Sequence, residues 1–534
     1  MDDTTPPPLN PARRRALRVL SLTPLMAGVG LAACGGGGGD AGGPAPVPAP
    51  GVAGPAWWGF GRDAQHSALA AIATQDLNRI AWTTPMDTAP QYQPSGALLI
   101  HYGSPVITAM NTVIVPVKTG ATGGFRFEAR SGANGGLIWS GTSDYLLPAH
   151  NWVPSYNLAL SAANRLYAPG AGGKLFVRED ADAATGALTT AVFYGAAAYA
   201  ANPAAFDGTV FINTPLTVDA AGTVYFGFIV TGANPAGLVS GIARITAAGV
   251  GSWAAAATLA GDAQIAKVAT NCAPAVSPDL ATLYFAVNRP VAAGVVQSGY
   301  LIAVDSTTLA LKGRVALVDP GAGTPARVSD DGTASPTIGP DGEVFYGVLE
   351  SNFGTHNGRG WLLHFNAALT AQRAPGGFGW DDTASIVPAT MVPSYTGAAS
   401  YLLMIKYNNY EGAGTGDGVN RIAVVDPTAT QLDAISTVQI MREVLTIAGP
   451  TFESGTSGPV KEWCINTAAV DPATRSVLAN SEDGYLYRWS LVTNTFTQRI
   501  QLTNGIAESY TPTAVGADGA VYAVNNAVLF SIAR

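Results

Sequence analysis

Charge and sulfur are both scarce in this chain of 534 residues. Only 12% of the residues are Asp, Glu, Lys or Arg, against 48% apolar ones, and cysteine occurs three times, as Cys34, Cys272 and Cys464. With so few cysteines, no two of them adjacent, a disulfide-stapled scaffold or a cysteine-rich zinc site is excluded. The histidines (His66, His101, His150, His356 and His364) show no HxH or HExxH spacing, so a histidine zinc site is not expected. No G-x-S-x-G, phosphate loop or dinucleotide fingerprint occurs. The absence of a basic cluster after Arg18 argues against nucleic acid as a partner. No apolar run past the N-terminal region reaches the roughly 18 residues a membrane helix needs. What is abundant is Gly (63) and Pro (36), the composition of a turn-rich all-β protein with a large core.

The N-terminus reads as a processing signal. Arg13-Arg14-Arg15-Ala16-Leu17-Arg18 precedes a weakly apolar run from Val19 to Ala33, too short to span a bilayer. Its ending, Leu31-Ala32-Ala33-Cys34, resembles the lipobox of bacterial lipoproteins, which implies cleavage after residue 33 and lipidation of Cys34. An ordinary signal peptide with an incidental cysteine is the alternative. The order Arg-Arg-x-x-Leu-Arg also resembles a twin-arginine signal, so unfolded and folded export both stay open. Gly35 after the cysteine is similar to lipoproteins sent to the outer membrane, on its periplasmic or cell-surface side. Residues 34–56 are then a Gly/Pro-rich tether, spanning roughly 25 Å as a coil. The formal charge is −8, and loss of residues 1–33, with four Arg and two Asp, makes the rest more acidic still. That acidity is dilute and speaks for solubility more than for a ligand.

From residue 57 onward one pattern repeats. Its clearest copy lies between Ala334 and Asn366: an apolar pair (Pro336, Ile338), a turn at Pro340-Asp341-Gly342, and strands at Val344-Phe345-Tyr346 and Trp361–Phe365. Aligned on the second strand, the copies are Val113-Ile114-Val115, Leu166-Tyr167, Val224-Tyr225-Phe226, Leu283-Tyr284-Phe285, Val344-Phe345-Tyr346, Tyr401-Leu402-Leu403, Val477-Leu478 and Val521-Tyr522. Third strands follow, as at Gly299–Asp305 and Gly484–Trp489, and fainter fourth strands, as at Leu137-Ile138-Trp139. Pro105, Pro215, Pro274, Pro336 and Pro512 stand upstream of five second strands, which makes the strand they lead into a sheet edge. Such an edge suits the innermost strand of a propeller blade.

The eighth copy ends after its third strand, Val528-Leu529-Phe530, and Arg79-Ile80-Ala81-Trp82-Thr83 supplies the missing fourth from the other end of the chain. The expected fold is therefore an all-β, eight-bladed propeller over residues 57–534, with four-stranded antiparallel blades and a ring closed by both termini. Seven blades is the alternative if the faint second or sixth copy is misread. A parallel β-helix has shorter coils than the roughly 55–60 residues between copies.

Trp57-Trp58-Gly59-Phe60-Gly61-Arg62-Asp63-Ala64-Gln65-His66 is similar to the entry segment of pyrroloquinoline-quinone-like propeller proteins. Phe127–Gly132 followed by Leu137-Ile138-Trp139 resembles their repeat. The resemblance covers residues 57–534 as a fold. It implies a superfamily holding both quinone-dependent dehydrogenases and non-enzymatic scaffolds, such as the propeller lipoprotein of the outer-membrane β-barrel assembly machine. The dehydrogenases place adjacent cysteines over the quinone, with Glu and Asn on calcium and an Asp base. This chain has no adjacent cysteines, so that site does not carry over and a quinone cofactor is not expected.

Cys272 and Cys464 enter innermost strands of the fourth and seventh copies. An oxidising compartment makes a disulfide between them one reading; blades three apart put them beyond the ~7 Å Cα limit, so two buried free thiols is the preferred one. His364 alternates within a strand and reads as a core residue. Asn408, Asn409, Asp417 and Asn420 bring oxygen donors and Gly turns together, so calcium is one reading and ordinary turn chemistry the preferred one. Lys461-Glu462-Trp463-Cys464-Ile465-Asn466 and Glu508-Ser509-Tyr510 each lead into an inner strand. A carboxylate beside Trp or Tyr at a channel mouth binds a sugar, peptide or small ligand; a Trp packed over the ring end beside a solvated Glu is the competing reading. Loops at 352–359 and 147–156 add aromatic and polar residues. The ligand-binding set is Trp152, Tyr156, Asn408, Tyr410, Glu462, Trp463, Glu508 and Tyr510, with no catalytic residue assigned. The expected function is a lipid-anchored binding or scaffold module for a protein or small ligand. Its rival is an enzyme, a quinoprotein-like oxidoreductase or a glycan-acting hydrolase or lyase using Glu462 or Glu508.

Overall fold

The computed structural model describes residues 54–92, 98, 102–148, 156–292, 294–330, 332, 334–351, 358–409, 417–453, 455–505 and 511–534. All eight second-strand runs are strands, and Thr112–Lys118, Thr282–Asn288 and Tyr401–Tyr407 are buried along their whole length. A strand with no wet face has to be covered on both sides, and neighbouring sheets do this. Eight antiparallel sheets result, at residues 106–143, 159–192, 210–255, 267–316, 337–365, 385–448, 469–501, and 514–533 joined by 79–85. We number them blades 1 to 8 in that order. In blade 1 the strands Val106–Ile107, Thr112–Lys118, Phe125–Ser131 and Leu137–Ser143 lie side by side in chain order. Alternation survives only on outermost strands such as Leu137–Ser143 and Thr495–Gln501, which have one face in water.

The apolar core is accordingly a set of wedges between blades. Phe127, Tyr167, Phe193 and Phe226 fill the wedges of blades 1 to 3, Val268 and Phe285 the next, and Trp463, Tyr487 and Trp489 that of blades 6 and 7. Carboxamides clasp across the polar ends of these wedges. Asn213 Nδ2 donates to Val268 O (2.9 Å), Asn288 Nδ2 to Val328 O (3.0 Å) and Asn480 Nδ2 to Val524 O (2.7 Å).

Both ends of the chain share blade 8. Arg79–Pro85 pairs antiparallel with Val528–Ala533, with Thr83 opposite Phe530 and Trp82 opposite Ser531. Trp82 is buried against Tyr522, and its Nε1 donates to Gly132 O in blade 1 (2.9 Å). The ring thus has eight blades and no free sheet edge at its seam. All five prolines stand immediately before or two residues before an inner-strand segment, at Val106, Thr217, Ala275, Thr337 and Ala514.

Three details depart from the sequence pattern. Blade 5 has three strands; beyond Trp361–Phe365 only isolated bridges at Leu362–Gly376 and Phe365–Gln372 form, because Pro375-Gly376-Gly377 removes a donor and weakens a strand. The inner strands of blades 3 and 4 are each split, around Pro215 and Pro274. Alanine-rich connectors form short helices at Ala196–Ala201, Pro203–Asp207 and Ala256–Ala260. No helix among the described residues is long and apolar enough to cross a membrane.

The segment before blade 8's outer strand has the largest structural consequence. Residues 54–75 circle the channel and touch each inner strand in turn. Trp57 exchanges hydrogen bonds with Ile107 of blade 1, and Leu160 N of blade 2 donates to Trp58 O. Trp58, Gly59 and Phe60 pack on Leu216–Val218 of blade 3. Val276 N donates to Ala64 O, Ile338 N to Gln65 O, Ile386 N to Ser67 O and Val470 N to Ala68 O, for blades 4 to 7. Gln75 N then donates to Gly519 O of blade 8. Inner strands are ladder edges with donors facing the channel, and this strap satisfies them. To follow so tight a circle it takes the left-handed conformation at Gly61, Arg62, His66 and Ala68. His66 is fully buried, and its Nδ1–H donates to Pro336 O (2.7 Å). Burial lowers its pKa to about 4, so the ring is neutral at ordinary pH.

Candidate functional site

The strap touches the C-terminal ends of the inner strands, which leaves their N-terminal ends to form the other mouth. There, short polar side chains join blade to blade. Thr511 Oγ1 donates to Tyr102 O (2.9 Å), Ser104 N to Asn157 Oδ1 (2.8 Å), Ala273 N to Ser335 Oγ (2.9 Å) and Ser335 N to Thr383 Oγ1 (3.0 Å). Thr383 N donates to Asn466 O (3.1 Å), Thr513 N to Thr467 O (3.2 Å) and Asn271 N to Asn213 O (2.9 Å). These residues are almost fully buried, so the belt is part of the scaffold.

On this rim, blades 6 and 7 carry an acidic sector. Asn408 ends the second strand of blade 6 and makes two bonds to one residue of blade 7: Trp463 N donates to its Oδ1 (3.0 Å), and its Nδ2 donates to Trp463 O (3.2 Å). The loop carrying Glu462 and Cys464 is thereby pinned. Cys464 Sγ donates to Glu482 Oε2 (3.4 Å), and one donor atom each of Glu462, Cys464 and Glu482 lies within 4.8 Å of the other two. All three side chains are buried. Asp381 and Asp382, just before the belt's Thr383, are buried as well. Desolvation pushes Asp382 up to about 8, against the opposing pull of the Lys406 ammonium. Its Oδ1 accepts from Lys406 N (3.4 Å) and its Oδ2 has no hydrogen-bond partner. Two small cavities of about 10 Å³ lie close by the channel, one under the strap at Phe60 and one lined by Thr270, Tyr346 and Asp381. Each has room for about one water.

The sequence-derived site residues divide three ways. Asn408, Glu462 and Trp463 do come together on one rim. Trp463, however, points inward: it is 1% exposed and packs on Tyr487 and Phe496, so it fixes the loop and does not face a ligand. Glu462 is buried, which removes the reading of a solvated carboxylate. Tyr156 stands at the entry of blade 2 but is buried in the core, with its ring tilted against Phe125 and Tyr145. The oxygens weighed as calcium ligands have these described partners. Asn409 N donates to Asn420 Oδ1 (2.8 Å), Asn420 Nδ2 donates to Val460 O (2.8 Å), and Asp417 pairs with Arg421 (3.2 Å). Cys34, Trp152, Tyr410, Glu508 and Tyr510 lie outside the described residues, as do His101, His150 and His356.

Cys272 and Cys464 are both free and buried. Burial raises the Cys272 thiol to about 12, an inert state. His364 is buried and stacked on Phe345 (4.4 Å), with Nε2 3.0 Å from Glu343 at an angle too oblique for a hydrogen bond. Sequence reading missed Glu482, Asp381, Asp382 and Lys406. Lys406 had a signal, a lysine at the end of the apolar strand Tyr401–Tyr407; Glu482 looked like part of an ordinary turn.

No protein-family model matches this sequence, and no curated protein does. Solved structures are similar in shape. A europium-containing methanol dehydrogenase aligns at TM-score 0.52 and 11% identity, covering 88% of each chain. Quinohemoprotein alcohol dehydrogenase from Comamonas testosteroni aligns at 0.53 and 11% identity, covering 89% of this chain and 80% of its own. BamB from Moraxella catarrhalis aligns at 0.40 and 11% identity, over 85% of this chain and 99% of its own. The first two show the propeller fold and nothing finer, and the third is too distant to carry an argument. The described residues do not fit a quinone site of the kind that resemblance implied. Cys272 and Cys464 stand in separate blades, and on the inner rim Ser104 is bonded to Asn157 and Ser335 to Thr383.

Proposed function

We propose that this protein is a lipid-anchored, exported propeller that binds a protein or small ligand at its belt-side mouth without changing it covalently. The observation that carries this reading is the pair of bonds between Asn408 and Trp463, which fixes two blades' loops and their buried carboxylates on one rim while the strap occupies the opposite mouth. A rigid rim with preorganised polar groups is what a binding surface needs. Lipidation of Cys34 would keep the propeller at a membrane through the tether of residues 34–56.

The test places a photo-crosslinking residue at Lys461 on the belt side, or at Asp518 on the strap side, in the full chain in its own cells. Specific adducts from position 461 and none from 518 support the proposal. Adducts from 518 alone would contradict it. So would turnover of an alcohol or sugar panel by the purified chain supplied with quinone and calcium. Replacing Cys34 with Ser should move the chain from the membrane to the soluble fraction; a chain that stays on the membrane removes the lipid anchor from the account.

A further inference from the structure

Inner strands end at the strap-side face, so in each antiparallel blade the outermost strand begins there. In six blades that beginning holds an exposed apolar side chain. Leu137, Leu188 and Leu311 open the outermost strands of blades 1, 2 and 4, and Ile80 stands second in that of blade 8. Val250 and Val492 occupy the turns just before the outermost strands of blades 3 and 7. All six are 37 to 65% exposed, and Met110, in the first turn of blade 1, is exposed as well. Single exposed apolar residues are ordinary, but one on each of six blades, at one end of the ring, makes a set of contacts that meet a flat apolar medium together. The belt side differs: three of its exposed apolar residues, Val239, Val291 and Val295, share the loops of two neighbouring blades, 3 and 4.

The chain also reaches the ring on this face. Gly54 N donates to Ala109 O, beside Met110, and a Cβ on Gly54 would strike Ala517 O in the strap-side turn of blade 8. Cys34 precedes Gly54 by 20 residues, and a coil of that length spans roughly 25 Å. Charge narrows the kind of surface. Asp279, Asp305, Asp341 and Asp518 each close a turn on this face by accepting a backbone N–H. Arg130, Arg165, Arg373 and Arg442 lie at the same end, and each is paired with a carboxylate. The face therefore repels an anionic surface and suits a zwitterionic one. We infer that the strap-side face lies on a zwitterionic phospholipid bilayer, with its apolar ring among the headgroups and the belt-side mouth turned away from the membrane. Binding of this kind grows with the apolar area buried, and a short tether raises the local concentration of the face at the bilayer. The orientation of the tethered chain rests on the lipid anchor proposed above, whereas the affinity of the face for the bilayer does not.

The experiment attaches a fluorophore to V250C on the strap side or to V291C on the belt side; Cys272 and Cys464 are buried and do not take the label. Two forms of the mature chain from residue 34 are used, one isolated from its own cells and one carrying C34S, which has no acylation site. Bilayers of phosphatidylethanolamine and phosphatidylcholine carry brominated acyl chains as quenchers. Quenching at position 250 and none at 291 is expected from both forms, the C34S chain needing more lipid. Serine at positions 137, 188 and 311 together should lower flotation of the C34S chain with these vesicles by about tenfold. V291S with V295S should leave flotation unchanged, and added phosphatidylglycerol should weaken it. Quenching at 291 in place of 250, flotation indifferent to the leucine substitutions, or flotation strengthened by phosphatidylglycerol would each overturn the inference. A cell-derived chain without acyl groups, beside a C34S chain quenched at 250, removes the anchor and keeps the face. An acylated chain quenched at neither position removes the face and keeps the anchor.

Discussion

The two mouths of this ring are built from the same inner strands, yet they solve opposite problems. On the strap side the edge donors of blades 4 to 7 are satisfied by one continuous segment, residues 64–68. On the belt side the work is shared among short side chains, Asn157, Ser335, Thr383 and Thr511, each joining one pair of blades. The strap circles one mouth as a single segment, whereas the belt joins the blades pair by pair. The buried carboxylates Glu462 and Glu482 and the thiol of Cys464 lie on the belt side.

The largest effect should come from the strap. Deleting residues 54–75 leaves inner-strand donors of at least five blades unsatisfied, and we expect no cooperative thermal unfolding from that chain. A milder probe is Trp57→Ala, which empties a fully buried indole and should cost about 3–5 kcal/mol in denaturant unfolding. Asn408→Ala is its belt-side counterpart. It strips two bonds from the buried backbone of Trp463, and at about 1–3 kcal/mol for an unsatisfied buried group it should weaken the fold less than Trp57→Ala while abolishing crosslinks at Lys461.

Acid separates the mouths further, because their buried titrating groups have opposite signs. His66 in the strap is lowered to about 4 from 6.5, so the unfolded chain binds the extra proton between those values and stability falls as pH drops through that window. His364, also lowered to about 4, adds to the same slope. Asp382 on the belt side is raised to about 8 from 3.8, so the folded chain holds the extra proton, and stability falls as pH rises between those values. Neither slope can exceed about 1.4 kcal/mol per pH unit for one group. The Asp382 window contains the histidine window, so Asp382→Asn should flatten the limb above pH 6.5 and steepen the slope below it; His66→Asn, which tolerates the left-handed backbone, should reduce the slope between pH 4 and 6.5 only. Melting temperature across pH 4 to 9 reads both. At the small end, Arg373→Ala breaks an exposed ion pair with Glu343 and should change stability by less than about 1 kcal/mol.

How far the sequence reveals this depends on whether a feature is periodic. The eight second strands announce themselves by apolar runs such as Val344-Phe345-Tyr346, and the missing last strand by Arg79–Thr83, so the ring is legible residue by residue. The prolines mark the inner edge because a residue without a donor is tolerated only there. The strap is not legible: Trp57–His66 marks a family likeness, but its circuit depends on left-handed residues and on contacts up to 444 positions apart along the chain, as between Gln75 and Gly519. The site shares that difficulty. Glu462 stood out as an unusual loop residue, while Glu482 sits in an acidic turn that any hairpin could have, and only closure of the blade brings it to Cys464. Trp463 misled for a related reason, since an aromatic beside a carboxylate reads as a ligand platform until its indole is seen against Tyr487.

Amide hydrogen exchange in the full chain tests the difference between the mouths most directly. The N–H groups of Val276, Ile338, Ile386 and Val470 lie on the channel edge of their sheets, and their acceptors are the strap's carbonyls. Protection equal to that of the central strand amide of Ile114 is the predicted result. Exchange at the rate of exposed turns would mean that the strap does not seal this mouth.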